Sequence, residues 1–467
     1  CPGHNTTPSV YLTPARRPAV PLPFLLTKFL ARTGLARHLP AADRLTGGGA
    51  GFVKYYSDRV LAAPVEELCD PATFPRAPGP EVMDLNLAAP QFDSPVTAGR
   101  VSADRTGGPP AWGLPALREA VADSYRQRDG RAVDANEEVL VTHGATGAFA
   151  AVLDAFVNPG NKVVLFDPAP PVFALGAKSR RARVRWVPST AEGGRLTFDP
   201  DALSKAMRGA TLIALCEPGN PTGAVIDDED LERVAWAANR SDVLIYLDES
   251  FGRFRYDRRP CPLATMPGAD GRTLSVGSLT AGYGLGSLRV GWLTGPRHLV
   301  RACALTASLA APYVPTLCQQ VAVRAVQTDE ELFGPVLEEY RDRRRYSSER
   351  LSAMGLEPSW PAGGFFFWVP VGSLGLDGRT FAERLLREQR VLVGPGCAFG
   401  PSTAGFVRVS FATEDGRLRE GLKRLAAFVA GLKGQPVVQA ERVPAPEGEE
   451  KKEAVKMDDR PPSFSRA

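Results

Sequence analysis

Two rhythms of apolar and polar residues take turns along this chain. The run GLPALREAVADSYRQR, Gly113 to Arg128, places apolar residues at helical spacing with charges on the opposite face. EEVLVTHGATGAFAAVLDAFV then reads as a strand, a tight glycine turn and a helix. NKVVLFDPAPPVFALG gives a short buried strand and a Pro-rich turn. TLIALCEPGNPTG, Thr211 to Gly223, is an apolar strand ending in a turn, and DVLIYLDES, Asp242 to Ser250, repeats that pattern. Short apolar strands alternating with helical segments predict an α/β fold, with a mostly parallel central sheet covered by helices on both faces. Ligands in such sheets bind beyond the carboxyl ends of the strands. Thr146, Asn220, Asp248 and Ser278 each follow a strand in this reading.

The outer parts of the chain read differently. Residues 1–80 form a Pro-rich extension with a GGG break at Gly47 to Gly49. Within it, Pro21 to Leu39 has the spacing of an amphipathic helix. Strand-like VMDLNLAAP, Val82 to Pro90, opens the body, and residues 81–329 are expected to form the large domain, with a first piece of the small domain at its start. Residues 330–433 hold a long charged helix, EELFGPVLEEYRDRRRYSSERL, followed by GGFFFWVPV, VLVGPG and FVRVSF. That order predicts a smaller α+β domain. From 434 to 467 the polar run PAPEGEEKKEAVKMDDRPP lacks the apolar residues to bury a core, so a disordered tail is expected.

Composition narrows the function more than the fold. The 467 residues are 44% hydrophobic, enough for one large or two moderate domains. A net charge of +4 is too weak to argue for a nucleic-acid or membrane-surface partner. No run has the apolar length of a membrane span, because Pro, Lys, Arg and His break the best candidate at Pro21 to Leu39. Seven scattered cysteines with no CxxC pair read as reduced thiols in a cytoplasmic protein. The sequon at Asn5 is then a coincidence. Four widely spaced histidines argue against a zinc site, and no metal is expected.

GNPTG, Gly219 to Gly223, is an ordinary turn on its own. It gains meaning from its neighbours. GLPALREA, GATGA, NPTG, LDES, GSLTAGYGLGSLRVGW, PAGGFFFW, VGPGCAFG and FVRVSF follow one another in a single series of steps. Together they resemble the class I and II pyridoxal-phosphate aminotransferases of the aspartate-aminotransferase fold type, over roughly Asp84 to Gly431. The resemblance implies a homodimer that binds pyridoxal 5'-phosphate or pyridoxamine phosphate. It also implies transfer of an amino group between an amino acid and a 2-oxo acid.

Each family role then falls on a position of this chain. Asp248 would face the protonated pyridine nitrogen, where a carboxylate is needed if the ring is to act as an electron sink. A lone Asp after a strand more often caps a turn, but the flanking motifs favour the cofactor role. Asn220 would donate to the ring hydroxyl. Ala145, Thr146 and Gly147 would offer the phosphate amide or hydroxyl donors at a helix N-terminus, completed by Ser278 and by a forked contact from Arg289. The bland alternative for Arg289 is a surface ion pair. Arg408 in FVRVSF would grip the substrate α-carboxylate, the alternative being an exposed edge-strand arginine.

Four positions depart from the pattern. The family's Schiff-base lysine lies eight residues before the phosphate arginine, which here is Ala281. A methyl group neither forms an imine nor moves a proton. Phe251 stands where the family's ring-hydroxyl tyrosine would be. Pro170 takes the place of the aromatic that stacks on the pyridine, with Phe173 close by as a substitute. RTGGPPAWG, Arg105 to Gly113, lacks the tyrosine usually sent to the partner's phosphate. Three readings stay open: an introduced alanine in an otherwise competent enzyme, a catalytically inactive scaffold acting as a binding or partner subunit, or a lysine-free enzyme working with pyridoxamine phosphate. The third would need a base close to position 281, where only Thr280 and Tyr283 are offered.

Overall fold

The structure is a computed structural model that describes residues 79–92, 110–257, 261–328 and 330–434. The Pro-rich extension, the Pro21 to Leu39 helix, the Asn5 sequon, most of RTGGPPAWG and the polar tail beyond Gly434 lie outside these residues.

The large sheet has eight strands: β2 (Val139–Thr142), β3 (Lys162–Asp167), β4 (Arg183–Glu192), β5 (Arg195–Phe198), β6 (Leu212–Cys216), β7 (Leu244–Asp248), β8 (Thr273–Ser278) and β9 (Gly291–Thr294). Their spatial order is β2-β9-β8-β7-β6-β3-β4-β5. The neighbours β8-β7-β6-β3-β4 are parallel, and β9 runs antiparallel between β2 and β8. The helices between them are α2 (Gly144–Phe156), α3 (Pro171–Ser179), α4 (Pro200–Met207), α5 (Asp228–Ser241), the short α6 (Leu279–Tyr283) and α7 (Arg297–Ala310), with α1 (Pro115–Asp129) before β2 and α8 (Thr316–Val326) after α7.

Strand pleating explains why these runs are apolar throughout. Val163 and Leu165 of β3, with Ala214 of β6 and Tyr246 of β7, point into a core shared with Phe149 and Phe173 of α2 and α3. Their chain neighbours Val164, Phe166, Ile213, Leu215, Ile245 and Leu247 point the other way, onto Leu203, Leu231 and Val234 of α4 and α5. A strand buried on both faces has no polar side to show, so alternation vanishes from its sequence. The turn expected after β3 is partly a helix: α3 begins at Pro171, a position that suits proline because its missing N–H would have no helical partner.

The second unit packs α9 (Glu330–Ala353), α10 (Gly378–Gln389) and α11 (Asp415–Lys433) against two small sheets. One orders β10 (Phe366–Pro370), β13 (Phe406–Ser410) and β12 (Gly394–Pro395), all antiparallel; the other pairs β1 (Met83–Asp84) in parallel with β11 (Val391–Leu392). Its core joins Met83 and Leu85 to Tyr340, Phe365, Phe381, Phe411 and Leu422. The strand expected over Val82 to Pro90 is only two residues long. Beyond Asp84 the segment runs on by single bonds, Leu85 N–H to Leu392 O, Ser410 N–H to Leu85 O and Gln91 N–H to Ala412 O, without a continuous ladder. Among the described residues no helix is long and apolar enough to cross a membrane.

Candidate active site

Parallel strands deliver their last residues to one edge of the sheet, and the candidate residues gather there. Asp248 closes β7 and Ser278 closes β8; Asp248 lies in register between Cys216 of β6 and Val276 of β8. Ser278 pairs with Gly291, and Gly291 with Thr142 at the end of β2.

The candidate phosphate end is built around the start of α2. Its first-turn amides have no partners inside the helix, and His143 before them makes no side-chain cap. Ala145 and Gly147 are half-buried and Thr146 is exposed. β9 approaches this turn closely. A side chain at Gly291 would stand 2.8 Å from the Cα of Gly144, so only glycine fits. Two residues before it, Arg289 adopts a left-handed backbone (φ 53°), uncommon for a side-chain-bearing residue and typical of functional turns. That turn aims the guanidinium at Gly144, where an added Cβ would meet Nη2 at 3.0 Å. Arg289 is exposed and makes no hydrogen bond or ion pair with the described residues. Ser278 is buried, and its hydroxyl oxygen accepts the N–H of Thr280 at 3.0 Å as the cap of α6. The hydroxyl hydrogen stays available to donate.

The middle of the site is a carboxylate with no cation paired to it among the described residues. Asp248 is half-buried, and its Oδ1 accepts the Ser250 N–H at 2.9 Å. Burial raises its pKa above the usual carboxylate range, opposed by the bonds from Ser250 and reinforced by the Glu249 charge. Tyr246, two residues back, donates its hydroxyl to Ala145 O at 3.2 Å and so ties β7 to the start of α2.

The candidate carboxylate end, around Arg408, is denser. Arg408, on β13, is only 6% exposed. Its Nη1 donates to Asn220 Oδ1 at 2.8 Å, and its Nη2 donates to Asn86 O at 2.8 Å and Asn86 Oδ1 at 2.6 Å. Phe366 and Phe399 lie against the guanidinium, with ring centroids 4.5 and 5.0 Å from Cζ. Its Nε is buried without a partner, and no described carboxylate lies within ion-pair distance. Burial pulls its pKa down, and the nearby Asp84 charge opposes this.

Ala281 sits in α6, 2% exposed, in the apolar cluster that holds Phe251. Phe251 packs edge-on against Phe365 and Phe366, each at 5.4 Å. Phe173 does not substitute for the missing stacking aromatic. It is 1% exposed, locked in the core against Phe149 at 4.9 Å and Tyr246 at 5.6 Å.

The chain matches the family model described as "Aminotransferase class I and II" over residues 82–425. The chain belongs to that family. It is 32% identical to the arginine–pyruvate transaminase AruH of Pseudomonas aeruginosa, over 76% of this chain and 92% of that protein. It is 31% identical to the aspartate aminotransferase of Pyrococcus abyssi, over 74% and 91%. The fold superposes on the aromatic aminotransferase of Pyrococcus horikoshii with a TM-score of 0.71 at 29% identity, covering 76% of this chain and 97% of that one. The Thermus thermophilus aspartate aminotransferase with maleate also gives 0.71, at 28% identity, covering 80% and 99%.

Members of this aminotransferase family use pyridoxal 5'-phosphate, and the residues present fit such a group. An uncapped helix N-terminus beside an unpaired arginine suits a phosphate. A half-buried carboxylate without a cation suits a protonated ring nitrogen. Sequence reasoning missed three contributors. Asn86 was absorbed into a strand-like run, Phe366 into an apolar strand and Tyr246 into a buried one. Only contacts across the fold reveal their roles.

Proposed function

We propose that this aminotransferase-family chain binds pyridoxal 5'-phosphate or pyridoxamine phosphate without a covalent bond, and that it transfers amino groups between an amino acid and a 2-oxo acid very slowly, if at all. The phosphate would rest on the amides of Ala145, Thr146 and Gly147 and on Ser278 and Arg289. Asp248 would hold the ring nitrogen, Asn220 the ring hydroxyl and Arg408 an α-carboxylate. The bound group supplies an electron sink for the substrate's α-carbon. The chain's own task is to orient both ligands and exclude water. At position 281 it has no group that moves a proton.

The placement of the lysines carries this reading. Lys162 opens β3, and Lys178 and Lys205 lie near the C-terminal ends of α3 and α4, which return the chain to the amino ends of the strands. Lys423 and Lys433 lie on α11; Lys423 faces a Glu420 carboxylate and Lys433 donates to Met354 O at 2.7 Å. Lys162, Lys178 and Lys205 therefore lie away from the edge where Asp248 and Ser278 end their strands, and Lys423 and Lys433, the other described lysines, belong to a helix of the second unit. The decisive experiment adds pyridoxal 5'-phosphate, reduces with borohydride and maps the product by peptide mass. We expect ligand that dialyses away before reduction and no stoichiometric pyridoxyl label on any one lysine; a single lysine modified to completion overturns the non-covalent reading.

We infer a cytoplasmic homodimer. Leu305 and Leu309 of α7, with Tyr313 and Leu317 beyond it, are 44–82% exposed and form an apolar stripe that a second copy would cover. Sedimentation should give the dimer mass, and Leu309→Asp should shift it toward monomer. A monomeric parent chain would refute the assembly.

A further inference from the structure

The carboxylate end already holds an oxygen where a carboxylate has to go. A guanidinium offers a carboxylate two parallel N–H pairs, Nη1 with Nη2 or Nε with Nη2, and both include Nη2. In this chain Nη2 is engaged twice by one residue, through Asn86 O at 2.8 Å and Asn86 Oδ1 at 2.6 Å. Nη1 is engaged by Asn220, and Nε is buried and unpartnered. Neither pair is free while the Asn86 side chain stays where it is.

The seat of that side chain is built from more than Arg408. Gly394 faces Arg408 across β12 and β13, and a Cβ at Gly394 would lie 2.6 Å from Asn86 Oδ1. The bare Cα leaves the space that the amide oxygen fills. The Asn86 backbone is fixed separately, its N–H donating to Asp84 Oδ1 at 2.8 Å. Asn86 itself is half-buried, not sealed into the core.

We propose that Asn86 is a specificity-determining residue: its side-chain oxygen stands in for a ligand carboxylate on Arg408, and an α-carboxylate must displace it to bind. This rests on the reading of Arg408 as the carboxylate site. Displacement trades a neutral acceptor for a charged one, so strong carboxylate ligands still enter, while weak ones are held out.

Calorimetric titration of the full chain, with and without pyridoxamine phosphate, tests this with pyruvate and its uncharged amide, pyruvamide. Asn86→Ala removes the competing oxygen and keeps the backbone carbonyl. It should tighten pyruvate by about tenfold while leaving pyruvamide unchanged. Pyruvate affinity that is unchanged or weaker in Asn86→Ala overturns the proposal. A gain that persists when Arg408→Ala is added to Asn86→Ala means the carboxylate binds elsewhere, and it is the reading of Arg408 that fails.

Discussion

Two arginines bracket this site, and they are held in opposite ways. Arg289 is exposed, sits on a left-handed turn and has no hydrogen-bond partner among the described residues. Arg408 is buried, bonded to two asparagines and flanked by two phenylalanine rings. The first is a charge waiting for an anion. The second is a charge whose hydrogen-bonding needs are largely met by neutral groups of the protein. A charge left open adds nothing to the fold and much to binding; a charge satisfied internally does the reverse. On the proposed reading, the site is open to a phosphate at one end and reserved at the other.

The strongest way to break the comparison is to restore the amine between the two ends. Ala281→Lys should raise transamination by about 10³-fold or more, since a positioned proton carrier alone contributes factors of 10²–10⁴. Stopped assays of amino acid with 2-oxo acid measure it. No gain would place the defect at the reserved carboxylate end instead. Next come the arginines themselves. Arg289→Ala should weaken pyridoxal 5'-phosphate by about 10–100-fold and leave denaturant stability unchanged, because the fold makes no use of that side chain. Arg408→Ala should cost roughly 2–4 kcal/mol of stability by stranding the Asn86 and Asn220 oxygens. Equal stability losses in the two variants would erase the contrast.

The smallest effect concerns Asp248. Burial raises its pKa, so the folded apo chain protonates it more readily than the unfolded chain does. That linkage favours the fold at low pH and is lost as pH rises through the folded value. Asp248→Asn should therefore melt slightly higher than the parent at neutral pH without cofactor. It should bind pyridoxal 5'-phosphate more weakly, and its affinity should lose the fall at low pH expected of the parent. A parent affinity that is flat with pH would remove Asp248 from the ring nitrogen.

Much of the frame was legible in the chain. The runs LIALC and LIYLD announce strands buried on both faces, and their ends locate Asn220 and Asp248. The phosphate end was legible because its residues are local: GATGA is one turn, and Ser278 to Gly291 one loop. The carboxylate end was not. Asn86 and Arg408 are brought together by β1, β11 and β13, and nothing in VMDLNLAAP distinguishes an asparagine that fills the space over Gly394 from one that faces water. Phe173 misled for a related reason. Proximity in DPAPPVF says nothing about which way a ring turns, and the α3 helix turns it inward.

The pairing of Met83 with Val391 has a consequence in time. A chain emerging from the ribosome can assemble β2 to β9, and with them the turn at Gly144 and the strand ends at Asp248 and Ser278, before β11 to β13 exist. β1 must wait, its ladder partner unmade, through the synthesis of nearly the whole body. The turn at Gly144 proposed to hold a phosphate is therefore among the earlier parts to form, and the surroundings of Arg408 proposed to grip a carboxylate are among the last. On that reading, a nascent chain halted before β11 would be able to meet the cofactor's phosphate but not a substrate's acid group.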